Sequence, residues 1–460
     1  MLTRSPIRDS NEFRSRFGQA KGAGGLDSGP VSDVAVIGAG YVGITTAACL
    51  AHLGHSVVAG DIDPARVEAL NRGEIPIHED GLSELVAEGL ESGRLRFVLG
   101  ASVAVKNAEF IFLCVPTPQG DDGSADLSFI DAVVLEIAGS LSSGSVVINK
   151  STVPVGTTRR VQRLLGEAGG SIDEIGVASN PEFLREGTSV RDFLHAARVV
   201  VGCDNPATAV RVSELYAGVH APIVVTDPAS AEMIKYASNA FLATKISFMN
   251  AIANLCEALD ADVSEVALGM GYDTRIGFEF LQPGPGYGGS CFPKDTSALM
   301  HAAHAAGAEF PLLQGVMDGN VAQHERMINK ARRLVGGDLR GVEVAILGLA
   351  FKANTDDVRD SPAVYVARRL SEEGAILRAY DPKASANSVL IDSMTRADSV
   401  IEAAKGASLM VVLTEWDEFR WLNFDEIGEA LDKRVVLDTR NLLDPVALRR
   451  RGWIYEGVGR

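Results

Sequence analysis

Apolar residues in this chain fall into two patterns: short unbroken runs closed by glycine, proline or threonine, and longer stretches at helical spacing. Residues before about Val31 follow neither. They are charged, then rich in Gly and Ser (KGAGGLDSGP), and residues 1–31 read as a flexible extension. From Val34 the pattern changes abruptly. VAVIGAGYVG starts as a continuous apolar run, the mark of a strand buried on both faces, and breaks at Gly38, Gly40 and Gly43. A helical run, ITTAACLAHLG, leads to a second strand, HSVVAGDID, ending at Asp61. FIFLCVPTP (Phe110 to Pro118) and SVVINKSTVPVGT (Ser145 to Thr157) read as further strands, and another ends at Asn180-Pro181. Strands alternating with helices over residues 32–226 predict a parallel sheet covered on both faces.

At Asp227-Pro228, an N-cap followed by proline at the first helical position, the period becomes helical. AEMIKYASNAFLATKISFMNAIANLCEAL is long enough to be a spine between two domains and a subunit contact, in a helical region spanning 227–330. Beyond HERMINKARRLVGG the strand–glycine pattern returns in VEVAILGLAFK (Val342 to Lys352). AILRAYDPKA then ends at Asp381, and SLMVVLTEW and RVVLDTRNLL complete a second sheet over 331–460. The expected fold class is α/β: two doubly wound, Rossmann-like domains joined by a long central helix and a helical region.

Composition narrows the partners. Hydrophobic content of 46% with 22% charged residues is that of a globular chain with large cores. A net charge of −17 and pI near 5.0 argue against nucleic-acid and anionic-membrane partners. No run is long and apolar enough to span a bilayer, and the N-terminus lacks a signal-peptide core. Cys49, Cys114, Cys203, Cys256 and Cys291 form no CxxC pair, which fits a reducing cytoplasm and no metal site.

Candidate chemistry sits at the strand ends and on one loop. In GAGYVG the first glycine serves the tight turn and the second admits a pyrophosphate. The third lets helix and strand pack closely, and the helix N-terminus faces the phosphates. Asp61, roughly twenty residues on, is placed to accept both ribose hydroxyls and to repel a 2′-phosphate, which favours NAD over NADP. Thr117 and Thr152, at the ends of their strand runs, would face the cofactor, with turn capping the alternative for Thr117. Glu182, Arg185 and Glu186 are either solvated or meet substrate and cofactor. Glu232, Lys235 and Asn239 share one helical stripe, as a solvated face or an enclosed one. In GPGYGGSCFPKD, a segment too rich in glycine and proline for regular structure, Cys291 is either a surface cysteine or a nucleophile whose thiolate nearby positive charge favours. Lys352 and Arg359 in the second domain read as phosphate partners or as ordinary surface charge.

GAGYVG, CVPTP, KSTVPVGT, NPEFLREG, AEMIKYASNAFLATKISF, GPGYGGSCFPKD and FKANTDDVRDSPA, in this order, closely resemble the nucleotide-sugar (UDP-glucose/GDP-mannose) dehydrogenase family, from about Ser32 to the C-terminus. CVPTP is more similar to the UDP-glucose branch than to the GDP-mannose branch. The resemblance implies NAD-dependent, four-electron oxidation of the sugar C6 alcohol, UDP-glucose to UDP-glucuronate, through a thiohemiacetal and a thioester on Cys291. It implies Lys235 and Asn239 at the C6 oxygen, Asp295 with a water held by Thr152 as general base, and Glu182 as the proton carrier in hydrolysis. NAD contacts follow at Gly38, Gly40, Tyr41, Val42, Gly43, Asp61, Arg66, Thr117, Thr152, Glu186, Lys294 and Arg359. Substrate contacts follow at Phe183, Leu184, Arg185, Lys235, Asn239, Gln282, Gly284, Gly286, Tyr287, Gly288 and Lys352, with Arg275 reaching a substrate across a dimer interface. Open beside this stand the same chemistry on dTDP-glucose or GDP-mannose, oxidation stopping at the aldehyde, and a non-catalytic sugar-nucleotide binder whose Cys291 senses redox state.

Overall fold

A computed structural model describes residues 31–169, 174–384, 391 and 394–460. Nearly all of the 1–31 extension therefore lies outside the described residues. The first sheet has eight strands: β1 (Asp33–Ile37), β2 (Ser56–Asp61), β3 (Leu95–Leu99), β4 (Phe110–Leu113), β5 (Val146–Asn149), β6 (Gly176–Ser179), β7 (Val199–Gly202) and β8 (Ile223–Thr226). Their order is β3-β2-β1-β4-β5-β6-β7-β8. The order reverses direction between β1 and β4, so a crevice opens beyond the carboxyl ends of these central strands. The sheet is not wholly parallel, as the alternation implied. β6 meets β7 antiparallel through Ser179 and Gly202, and β7 and β8 are parallel to each other.

Strands β4 and β5 are also shorter than their sequence runs. The chain leaves β4 after Leu113 and β5 after Asn149, and it is then tied by Ser151, whose hydroxyl donates to Leu113 O and Val115 O. Prolines beyond each strand cannot donate to a ladder, so CVPTP and KSTVPVGT become site loops.

The second sheet has six parallel strands in the order β11-β10-β9-β12-β13-β14: β9 (Glu343–Leu347), β10 (Ile376–Tyr380), β11 (Met394–Arg396), β12 (Leu409–Val412), β13 (Val435–Asp438) and β14 (Ile454–Glu456). Both units are Rossmann-like, but the acid closing their second strand differs in use. Asp381 is fully committed: it accepts from Leu349 N, Ala350 N, Lys383 N, Ala384 N and the Trp416 indole, and it is 2% exposed. It fills its own loop and leaves no carboxylate for a ribose.

The central helix, Pro228–Leu259, has 32 residues and spans about 48 Å. Asp227 caps it by accepting from Ser230 N, and Asp260 ends it in the left-handed conformation. Its first turns lie on β7, so closely that a side chain at Gly202 would meet Ala231. Met249, Ala253 and Cys256 near its far end join the core of the second domain. One rigid element is thus embedded in both domains. A helix at Phe292–Ala305 and another at Pro311–Leu334 pack along it.

Candidate active site

Three loops meet beside the central helix: the segment after β6, the glycine-rich segment before residue 292, and the segment after β9. The glycine-rich segment is not irregular throughout. It turns helical at Phe292, with Cys291 as N-cap, because Pro293 suits a first helical turn and Asp295 complements the positive end of the helix. Four side chains from the two long helices hold the loop. Asn250 Oδ1 accepts from Gly284 N (2.8 Å), and Gln323 Nε2 donates to Gly284 O (2.8 Å). Asn320 accepts from Tyr287 N (2.8 Å) and donates to Tyr287 O (3.0 Å), while His324 packs against Gly286. On its other side the loop touches the second domain, where a Cβ at Gly288 would lie 2.1 Å from Asp360 O. Asn320, Gln323 and His324 escaped sequence reading, although their i, i+3, i+4 spacing on an otherwise apolar face was an available signal.

Behind this loop the central helix presents Lys235 and Asn239, both almost fully buried, so the enclosed reading of that stripe holds. Lys235 Nζ donates to Glu182 Oε1 at 2.8 Å, and Asn239 Nδ2 donates to Asp295 Oδ2 at 2.6 Å. Lys294 pairs with the other Asp295 oxygen at 2.5 Å. Glu232, one turn earlier, does something else: it caps the helix Thr157–Glu167, accepting from Gly156 N, Thr158 N and the Thr158 hydroxyl.

Burial alone would push the Glu182 carboxyl up. The Lys235 charge and hydrogen bond outweigh it, with Leu184 N donating at 2.6 Å, and hold it below the usual range. For Lys235 burial favours the neutral form, but Glu182, Cys291 and Asp295 together raise its pKa. Cys291 behaves against the expectation of a resting thiolate. Burial first, then Glu182 and Asp295, push its thiol to about 11, and Lys235 only partly offsets them. Two carboxylates share the same small space, and the lysine is already paired.

The nucleotide crevice is built around Gly38, whose φ of 96° only glycine adopts readily and whose Cβ would meet Cys114 O at 2.7 Å. At Gly43 a Cβ would fall 1.7 Å from Gly38 O, so helix and loop can close only without one. Gly40 faces open space at the N-terminus of the helix Tyr41–His52, with Tyr41 and Val42 half-buried beside it. A helix N-terminus left open in this way favours an anion such as a phosphate. Asp61 accepts from Ala39 N (2.7 Å) and pairs with Arg66 at 3.3 Å. Thr117 donates to Thr152 O at 2.9 Å, tying the loops after β4 and β5 together. Tyr41 OH donates to Glu79, which also receives Gly187 N, Ser189 N and the Ser189 hydroxyl. Glu79, which sequence reading passed over, thereby holds the 182–189 segment to the glycine-loop helix.

Glu186 joins all three parts. It accepts from Ser290 Oγ (2.8 Å) and Thr355 Oγ1 (3.2 Å), with Arg359 at 3.7 Å. Burial and the neighbouring Asp357 raise its pKa to about 7. Arg359 also pairs with Asp357 at 2.6 Å. Phe183 stacks under Arg198 at 3.5 Å, and Arg185 forks onto Asp192. Lys352 is half-buried with its ammonium over Phe351, and Gln282 is exposed. Arg440, also missed from sequence, reaches Phe351 O and Leu413 O next to Gly284. Arg275 stands apart, 87% exposed and held by Asp273.

Comparison with known proteins agrees along the chain. Residues 32–220 match the NAD binding domain of the UDP-glucose/GDP-mannose dehydrogenase family, 229–322 its central domain and 345–445 its UDP binding domain. The chain is 43% identical over 434 residues to a UDP-glucose 6-dehydrogenase of Rhizobium meliloti (strain 1021), covering 93% of this chain and 99% of that one. It is 41% identical to one of Bacillus subtilis (strain 168), covering 93% of each. A UDP-glucose dehydrogenase structure from Pyrobaculum islandicum superposes with a TM-score of 0.86 at 37% identity, covering 95% of this chain and 100% of the other. Among the described residues no helix is long and apolar enough to cross a membrane. With a dinucleotide crevice in the first domain, a nucleotide-sugar substrate assigned to the second, and all three domain models matched in sequence order, the chain belongs to the UDP-glucose/GDP-mannose dehydrogenase family, as an oxidoreductase that uses NAD.

Proposed function

We propose that the protein is a UDP-glucose 6-dehydrogenase that oxidises the C6 alcohol to the carboxylate in two successive NAD-dependent steps. The observation that carries this reading is the convergence of Cys291 with the Lys235–Glu182 and Asn239–Asp295 pairs at the junction of the two Rossmann-like domains. An alcohol-to-aldehyde enzyme has no use for a thiol there, and a simple binder has no use for the buried charges.

Asp295, steered by Asn239 and Lys294, takes the hydroxyl proton through a water held by Thr152. Lys235, turning from Glu182, neutralises charge on the C6 oxygen. Cys291 Sγ then bonds to the aldehyde carbon to give a thiohemiacetal, and its oxidation gives a thioester. Glu182 carries the proton of the water that opens the thioester and returns the thiol. The chemistry NAD supplies when bound is acceptance of a hydride, once in each oxidation. Gly38, Gly40, Tyr41, Val42, Gly43, Asp61, Arg66, Thr117, Glu186, Lys294 and Arg359 would hold it. Phe183, Leu184, Arg185, Gln282, Gly284, Gly286, Tyr287, Gly288, Lys352 and Arg440 would hold the nucleotide sugar.

The same reading includes a homodimer. Phe241, Phe248 and Leu255 recur every seven residues on the central helix and are 65%, 50% and 56% exposed, an apolar seam that a second copy would cover. Arg275 would then act across that interface. Five unpaired cysteines favour the reducing cytoplasm.

The test is to supply UDP-glucose, dTDP-glucose and GDP-mannose separately with NAD and count NADH formed per sugar consumed. Two per UDP-glucose is expected. One would leave only the alcohol step, preference for another sugar nucleotide would move the base assignment, and none would favour a binder.

A further inference from the structure

We propose that Lys150 is a positioning residue for this reaction: its ammonium, buried beyond β5 without a carboxylate partner among the described residues, fixes Asn180 and keeps Glu182, two residues further on, charged and aimed at the site. This rests on the role given to Glu182 above.

Lys150 is 4% exposed. Nζ donates to Asn180 Oδ1 at 3.0 Å and to Tyr216 OH at 3.3 Å, and it lies 5.7 and 5.6 Å from the ring centres of Phe193 and Tyr216. Tyr216 OH in turn donates to Asn180 Oδ1 at 2.5 Å. Asn180 is pinned at its remaining groups, N to Asn149 O and Nδ2 to Val200 O, both at 2.8 Å. Among the described residues no acid pairs with this lysine. An unpaired buried charge is costly, and packing alone would be served better by an apolar side chain.

The position of that charge explains why it is kept. Glu182 feels two cations of different kinds, Lys235 in direct contact and Lys150 across Asn180. Lys235 is its direct partner but is also the group needed at the C6 oxygen, so during oxidation Glu182 loses its nearest positive charge. Lys150, locked by Asn180, Tyr216 and two rings, cannot follow. It remains to stabilise the carboxylate that hydrolysis requires.

The charged and titratable groups around the pair agree with this arrangement. Cys49 from the glycine-loop helix, Cys114 beyond β4, Glu182 and Lys235 face Lys150. Burial lowers its pKa to about 8, Cys114 and Glu182 offset part of that, and Lys235 lowers it further. Lys235, Leu184 N and Lys150 together hold Glu182 low against burial.

The test uses the full-length enzyme and measures release of the sugar acid in quenched single turnovers from pH 5 to 9. Lys150→Met removes the charge. Lys150→Gln removes it but keeps a donor for Asn180, so one neutral variant retains the local geometry if the other fails to fold. Both are expected to move the acid limb of the rate profile upward, since Glu182 without the cation protonates more readily. The KM values for NAD and sugar nucleotide should stay within about twofold, and Lys150→Arg should restore the limb. A limb that stays in place, with the rate unchanged or lowered equally at every pH, would assign Lys150 to structure alone and overturn the proposal. Glu182→Gln separates the two readings. If it retains the wild-type limb, the role of Glu182 is wrong; if it abolishes a limb that the neutral Lys150 variants leave in place, only the role of Lys150 is wrong.

Discussion

The resting state of Cys291 allows a quantitative prediction. At pH about 7.5 an unperturbed cysteine is about 9% thiolate, whereas a thiol near 11 is about 0.03% thiolate, roughly 300-fold less. The more basic thiolate is intrinsically the better nucleophile. A Brønsted slope of about 0.4–0.5 over about 2.5 units returns roughly 10- to 18-fold. Iodoacetamide should therefore alkylate Cys291 in the free enzyme about 15- to 30-fold more slowly than a small free thiol at that pH. The rate should climb about tenfold per pH unit to beyond pH 10. The four other cysteines are buried, so peptide mass spectrometry after timed labelling reads this site cleanly. A labelling rate that levels off by about pH 8.5 would show that Lys235 and the helix N-terminus outweigh burial and the two carboxylates, and the electrostatic account of the site would fail.

Lys235→Met leaves Glu182 buried without its direct cation, which costs about 3–5 kcal/mol unless the carboxyl takes up a proton. In the wild type the depressed Glu182 pKa contributes stability above its unfolded value and loses it as pH falls. In the variant that sign reverses, so the drop in urea midpoint should be larger at pH 8 than at pH 5, and an equal drop would contradict the pairing. Glu186 has the opposite sign. Its raised pKa gives stability that is complete below the unfolded value and lost as pH rises through about 7. Melting scans should thus show Glu186→Gln gaining on wild type between pH 5 and 8, by about 1–3 kcal/mol, and parallel profiles would remove the carboxyl cluster from the account. Phe248→Glu should shift the protein from dimer toward monomer in light scattering, whereas a wild type that is monomeric at micromolar concentration would refute the seam.

Much of the candidate site was legible because its residues are adjacent in sequence or on one helical stripe. The glycine turn followed by Asp61, the pair Lys235 and Asn239, and Cys291 beside Asp295 all carry their spacing on the surface of the sequence. The stripe misleads at Glu232, which shares the spacing but caps a neighbouring helix. Strand ends misread because β-branched runs continue past the last ladder bond: Val115 and Val153 are apolar, yet they belong to loops bent by proline. The antiparallel step from β6 to β7 has no local signature at all. Lys150, Glu79 and Arg440 were invisible for the same reason. Each acts on residues far away along the chain, and only folding brings Asn180 to Lys150 or Ser189 to Glu79. Even the position of Cys291 at a helix start, rather than inside a loop, depends on two long helices holding the preceding glycines from below.

Capture of the covalent intermediate bears most directly on the account. Enzyme turning over UDP-glucose with NAD is quenched in acid within the first turnovers, digested, and the Cys291 peptide is weighed. A peptide carrying the sugar nucleotide as a thioester is predicted, with no such adduct in Cys291→Ser, which should bind the sugar nucleotide but release no acid. An unmodified Cys291 peptide throughout, while acid forms at full rate in both proteins, would contradict it.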